Sequence, residues 1–165
     1  MFPKDIETLT AQVLDRARKR GLRIATAQSC TGGLVAAALT AIAGSSDVVQ
    51  GGVISYANTA KSRLLGVPPG LIAEHGAVSE PVALAMAEGA RRALDVDLAV
   101  AITGVAGPGG GTADKPVGLV HFAAASSRET RHHAECFGDI GREKVRLASV
   151  KVALQMLLDL MADGG

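Results

Sequence analysis

Residues 98–137 read LAVAITGVAGPGGGTADKPVGLVHFAAASSRETRHHAECF, and this stretch decides the fold. LAVAIT (98–103) is a continuous apolar run closed by a threonine, the pattern of a strand covered on both faces in the middle of a sheet. A glycine- and proline-rich loop follows (104–116). Residues 118–125 and 130–137 are then separated only by a short polar turn at 126–128, so they should pair as an antiparallel hairpin. A central strand feeding a hairpin predicts a sheet in which one strand runs against its neighbours.

Upstream, strands and helices alternate. Ile6, Leu9, Val13 and Ala17 recur at helical spacing, so 5–20 reads as an amphipathic helix that Gly21 can end in a left-handed conformation. Residues 22–28 (LRIATAQ) form a short strand. Residues 34–43 are Ala- and Leu-rich on every side, like a buried helix. After the turn 44–47, residues 48–57 (VVQGGVISYA) form a second strand in which Gly51-Gly52 marks a bulge or a close backbone approach. Residues 58–65 suit a short helix, with Asn58 as its cap. VPPG (67–70) breaks the chain, and Ser79 caps a helix to about 94 with Pro81 in its first turn. Residues 140–162 form a closing helix with Val145, Ala148, Val152, Leu157 and Met161 inward. The expected order is α-β-α-β-α-α-β-β-β-α, a three-layer α/β/α sandwich on a mixed, mostly parallel sheet. One domain over 1–165 is expected, without repeat or linker.

Composition supports this. Of 165 residues, 48% are apolar and 20% charged, which excludes disorder. With three Phe, one Tyr and no Trp, the core must be aliphatic, as in helices packed tightly on a sheet. A net charge of +1 without a basic stripe argues against direct nucleic-acid binding. Two cysteines make no disulfide framework, the start MFPKDIETLT lacks a signal peptide's apolar core, and no apolar run approaches the roughly 18 residues of a membrane span. A cytoplasmic protein is expected.

In such sheets ligands bind outside the carboxyl ends of the strands. Three segments converge there: Ser29-Cys30-Thr31-Gly32-Gly33, the run Tyr56 to Lys61 containing Asn58, and Thr103-Gly104-Val105-Ala106-Gly107-Pro108. SCTGG joins a strand to a helix, where glycine lets amides face a phosphate or an oxyanion; alternatively Ser29 or Thr31 merely caps the helix. Lys61, near a helix start, opposes the dipole; it is either a partly buried general base or an ordinary solvated lysine. Tyr56 could stack on a ligand, hydrogen-bond to it, or pack at the strand end. Thr103 places a hydroxyl at the end of the central strand. Arg142 and Arg146 share one helix face, suited to phosphate or carboxylate or to plain surface. His132, His133 and Cys136 hint at metal, but alternation puts His133 on the opposite face and a fourth ligand is missing, so no metal site is expected.

SCTGGLVAAALT, SYANTAK, LLGVPPGLIAEHGAVSEPVA and AVAITGVAGPGGGTADKPVGLVHFA, in this order, resemble the C-terminal domain of the competence/damage-inducible protein CinA, the family of the nicotinamide-nucleotide amidases. The resemblance runs from Ile24 to Leu158. It implies a mixed five-stranded sheet between helices, and hydrolysis of nicotinamide mononucleotide to nicotinic acid mononucleotide and ammonia. It implies that Ser29 is the reactive serine and Lys61 its lysine, with Tyr56, Asn58, Thr103 and Arg142 on the other pocket positions. Two departures stand out. Gln28 replaces the family's usual Glu, removing a carboxylate expected to tune Lys61 or organise the pocket. In Gly138-Asp139-Ile140-Gly141-Arg142 the arginine lies two residues beyond its usual place. The larger family members carry a further N-terminal domain, and nothing attributed to that domain is expected of these residues.

The chemistry expected is attack by Ser29 with Lys61 as base, and Tyr56 or Thr103 relaying a proton or orienting Lys61. Amides of Cys30, Thr31, Gly32, Gly33 or Gly104 would hold the oxyanion. Asn58, Gly107, Arg142 and Arg146 complete the substrate site, and no cofactor is needed. Cys30 itself should pack beneath the site. The small-molecule partner is a nucleotide, no membrane is involved, and a homo-oligomer is expected. The rival reading is a non-catalytic nucleotide-binding or regulatory module linked to competence or DNA damage.

Overall fold

The computed structural model describes residues 1–163. Its elements are α1 (Lys4–Lys19), β1 (Ile24–Gln28), α2 (Leu34–Thr40), a 3₁₀ turn (Ser45–Asp47), β2 (Val49–Ile54), α3 (Asn58–Leu65), α4 (Pro69–His75), α5 (Glu80–Ala93), β3 (Leu98–Gly104), β4 (Leu119–Ala125), β5 (Thr130–Cys136) and α6 (Arg142–Asp163). The sheet order is β2-β1-β3-β4-β5. β1 pairs in parallel with β2 and β3, whereas β4 is antiparallel to both β3 and β5. The hairpin and the mixed sheet are as the sequence predicts. Mostly parallel holds for strand direction, since β4 alone is reversed, but the pairings divide evenly.

Strand alternation separates two unlike faces. Ile24, Leu98, Val100, Ile102, Val120 and Phe122 face α1, α2 and α6, and this side holds the larger core. Ala27, Ala99, Ala101, Ala123 and Ala125 face α3, α4 and α5. Small side chains let α5 lie close to the sheet. Both readings of the Gly51-Gly52 step hold: the β1–β2 register slips beside Gln50, and a Cβ on Gly52 would lie 2.4 Å from Thr26 Oγ1.

Several expectations need correction. VPPG does not simply break the chain: Pro69 opens α4, where its missing N–H costs no helical bond. Ala57, not Asn58, is the N-cap of α3, and no side chain caps it. Ser79 occupies the N-cap of α5, but its hydroxyl donates to the Gly76 carbonyl and not into the helix. α2 ends at Thr40, three residues early, and β2 stops at Ile54. In α6, Val145, Leu157 and Met161 are buried, but Ala148 and Val152 lie at the margin, and Val150, Ala153 and Leu154 take the inner face between α1 and the sheet. No helix among the described residues is long and apolar enough to cross a membrane.

Candidate active site

The strand end after β1 divides its side chains by alternation. Thr26 and Gln28 point to the α2 face; Ala27 and Ser29 point to the α5 face. The Ser29 amide donates to the Ile102 carbonyl at 2.9 Å, which fixes the serine at the sheet's edge with 9% of its surface exposed. The chain then turns through Gly32 (φ +57°) and Gly33 (φ +108°), a left-handed pair that only glycine adopts readily, into α2. Neither Ser29 nor Thr31 caps that helix; Gly33 stands at its N-cap. Among the described residues, the Cys30, Thr31 and Gly33 amides donate to no backbone carbonyl.

Gln28 explains how this loop keeps its shape. Its Oε1 accepts the Val35 amide at 3.0 Å and the Thr31 hydroxyl at 2.8 Å, and its Nε2 donates to Thr26 Oγ1. Gln28 therefore organises the loop and not Lys61, because it lies on the other face of the sheet from Ser29. A glutamate at this place would accept the same two donors.

Lys61 lies one turn into α3, and its side chain is only 1% exposed. Its Nζ is 3.1 Å from Ser29 Oγ, 2.9 Å from the Ser55 carbonyl and 3.3 Å from the Tyr56 carbonyl. Burial pushes the amine below its ordinary value of 10.5. Cys30 lies beside them in sequence yet packs into the α2 side of the core, and burial raises its thiol to about 11 despite Arg146, Arg142 and Lys61 nearby. Such a thiol is neutral at ordinary pH and offers the site only its backbone.

The remaining candidates divide into those at the site and those that brace it. Two of them differ from expectation. Thr103 flanks Ser29 in the β1–β3 register, but its hydroxyl donates to the Ala77 carbonyl at 2.9 Å, tying down the segment before α5. Tyr56 is 61% exposed and its hydroxyl accepts from Arg142 at 3.1 Å. Neither hydroxyl bonds Ser29 or Lys61; Tyr56 orients the lysine through its carbonyl. Arg142 also donates to the Gly107 carbonyl at 2.7 Å, and so joins the loops after β2 and β3. Arg146 donates to the Cys30 and Thr31 carbonyls. Asn58 is exposed at the start of α3. Gly104 is the residue that the close approach of β4 requires, since a Cβ there would lie 2.7 Å from Val120. The Val105 amide bonds toward β4, so alternation turns the Gly104 amide toward the Ser29 edge.

Clefts lie elsewhere too: one of about 660 Å³ between α1 and α2, one of about 620 Å³ between the ends of α1 and α6, and one of about 530 Å³ outside α3 reached by Asn58. The Ser29–Lys61 site is a junction of loops, found by its chemistry. His132 pairs with His121 on the α5 face while His133 lies against the Phe122 ring on the other. Among the described residues, no three His, Cys, Asp or Glu side chains converge as metal ligands. Sequence reasoning missed Ser55, whose carbonyl holds the lysine, and the structural use of Gln28; neither carries a periodic or compositional signal.

Comparison with known proteins agrees with the fold. The family model for the CinA C-terminal domain matches residues 6–161. A CinA-like protein of Synechococcus sp. (strain RCC307) is 55% identical over 94% of this chain and 38% of its own length. One from Mycolicibacterium paratuberculosis is 51% identical over 96% of this chain and 36% of its own length. The chain thus spans under two fifths of these relatives. The crystal structure of the competence/damage-inducible protein CihA from Agrobacterium tumefaciens superimposes with a TM-score of 0.96 at 50% identity, covering 97% of this chain and 98% of that one. A CinA superfamily protein from Escherichia coli gives 0.91 at 36% identity, covering 97% and 93%. With the family model matching nearly end to end and the same fold in these solved structures, the chain belongs to the CinA C-terminal domain family.

Proposed function

We propose that this chain is an amidase that hydrolyses the carboxamide of nicotinamide mononucleotide to nicotinic acid mononucleotide and ammonia through a Ser29 acyl-enzyme. The observation that carries the chemistry is the set of atoms around Lys61 Nζ. Two are carbonyl oxygens, which can only accept. A neutral amine has two N–H donors and one lone pair, so the carbonyls take both donors and the lone pair faces the Ser29 hydroxyl. Burial favours that neutral form. Lys61 is thereby a base aimed at one hydroxyl. The choice of substrate rests on the family resemblance.

As Ser29 Oγ bonds the carboxamide carbon, its proton passes to Lys61 and the carbonyl oxygen gains charge. The amides of Cys30, Thr31 and Gly33, which donate to no backbone carbonyl, with Gly104, are the donors for that oxygen; one such donor is worth about 2.7–4 kcal/mol in the transition state. Lys61 then protonates the leaving nitrogen as the C–N bond breaks, and a water deprotonated by the same amine hydrolyses the ester. Arg146 holds the loop carbonyls so that the amides face the substrate. Arg142, exposed at the mouth, supplies the cation for the 5′-phosphate.

Purified protein is incubated with nicotinamide mononucleotide and ammonia is measured. Release of ammonia that disappears in Ser29→Ala supports the proposal. Binding of the nucleotide with no ammonia released would favour the non-catalytic module. Free nicotinamide should be a far poorer substrate, because the phosphate's binding energy positions the amide; similar kcat/KM for both compounds would count against the nucleotide assignment.

A further inference from the structure

The β1–β2 register extends one step beyond the ladder. Gln28 faces Ile54, and the Ser55 amide donates to the Gln28 carbonyl at 2.9 Å, so Ser55 lies beside Ser29 on the same face of the sheet. Ser55 is fully buried. Its Oγ is the one buried side-chain nitrogen or oxygen without a hydrogen-bond partner among the described residues. A hydroxyl in that condition is worse for stability than alanine, which fills nearly the same space without a polar atom to desolvate. The hydroxyl also hangs from the residue whose carbonyl anchors Lys61.

We infer that Ser55 is a positioning residue for the charged form of Lys61. The inference rests on the amidase reading above. When Lys61 is neutral, its amine is fully satisfied by two carbonyls and the Ser29 hydroxyl. When the Ser29 Oγ–carbon bond forms, the serine proton moves to Nζ and the lysine becomes an ammonium with three donors. Two stay on the carbonyls. The third faces Ser29 Oγ, which is now bonded to the acyl carbon and accepts weakly. Until that proton moves to the leaving nitrogen, the Ser55 hydroxyl gives the third donor an oxygen. An acceptor needed only while the buried cation exists stays unpaired in the resting enzyme, as Ser55 does here.

The test follows ammonia release in the first turnover, and labelling of Ser29 by a fluorophosphonate, a reagent that needs an activated serine but no nucleotide site. In Ser55→Ala, acylation and labelling should slow about tenfold, the size of one hydrogen bond to a charged group. KM should change less than about twofold, because Ser55 touches no substrate. The Tm should hold or rise, which a structural role for the hydroxyl would not produce. Ser55→Thr keeps the oxygen and should label within about threefold of wild type. Unchanged labelling in Ser55→Ala, or Ser55→Thr as slow as Ser55→Ala, overturns the inference. Wild-type protein that labels but releases no ammonia from nicotinamide mononucleotide rejects the substrate alone and leaves the Ser55 comparison decisive. Wild-type protein that fails to label rejects both.

Discussion

Ser29 and Cys30 are neighbours with opposite fates, because adjacent residues at a strand end face opposite sides. The serine meets a buried amine; the thiol enters the core and is held protonated, at about 11. Ser29→Ala should therefore abolish activity with the fold intact, while Cys30→Ala keeps most of it and iodoacetamide inhibits slowly. An inactive Cys30→Ala with a normal melting curve, beside an active Ser29→Ala, would reverse the assignment. The lysine makes a sharper demand. Only the neutral amine accepts a proton, so kcat/KM should rise with pH through a limb lying below 10.5, the ordinary lysine value. Lys61→Ala should lower kcat about 10²–10⁴-fold with little change in KM, the size of a general-base contribution. A raised KM at unchanged kcat would make Lys61 a binding residue. At this scale the sequence was legible only in part. Ser29 and Lys61 stand 32 positions apart, and spacing alone left each with an ordinary alternative. Of the two roles open for position 28, tuning Lys61 or organising the pocket, the structure supports the second, because alternation turns Gln28 to the face opposite Ser29, where it holds the loop.

The elements show where local preference yields to packing. Apolar runs suffice to predict the first four strands, and the short polar turn at 126–128 predicts the antiparallel hairpin with β5. α4 escaped because Pro-Pro-Gly reads as a breaker, although a proline at the first helical position forfeits nothing. Gly89 illustrates the same limit inside α5. On propensity, Gly89→Ala should stabilise an interior helical position by about 1 kcal/mol. In the structure a Cβ there would lie 1.9 Å from the Leu65 carbonyl oxygen and 2.9 Å from its carbon, at the end of α3. Backbone cannot rotate aside as a side chain does, so the helices must separate, at a typical overpacking cost of about 1–3 kcal/mol that exceeds the propensity gain. The expected result is a lower Tm. Activity should fall too, because α3 carries Lys61 and its distance from Ser29 depends on the α3–α5 contact. A variant with raised Tm and full activity would show that the two helices separate freely.

At the scale of the molecule, the candidate site is assembled from the loops after β1, β2 and β3 and the first turns of α6, so whatever loosens the sheet edge or the helix packing loosens that site. Acid should do so through the same face of the sheet, toward its β5 edge. His121 on β4 and His132 on β5 share a contact of 2.8 Å between Nδ1 and Nε2, in which one ring must accept while the other donates. A second proton on the pair leaves no acceptor. Burial first, then His132 and Lys115, pushes His121 below its ordinary 6.5, with Glu80 acting weakly in the opposite sense. The unfolded chain therefore binds this proton at a higher pH than the native protein. Stability must fall as pH drops from 6.5 toward the native value and be flat above 6.5 as far as this group is concerned. The paired carboxylates act in a separate window: Asp5 beside Lys151 and Asp47 beside Arg18 are held below 3.8, so their contribution persists until the pH falls below that value. Melting between about pH 7.5 and about pH 5 thus isolates the histidine range. Wild-type Tm should decline across it, and His121→Gln, whose amide does not titrate, should show a shallower decline. Equal slopes in the two proteins would mean that the pair takes up its second proton without strain, and would place acid sensitivity elsewhere in the chain.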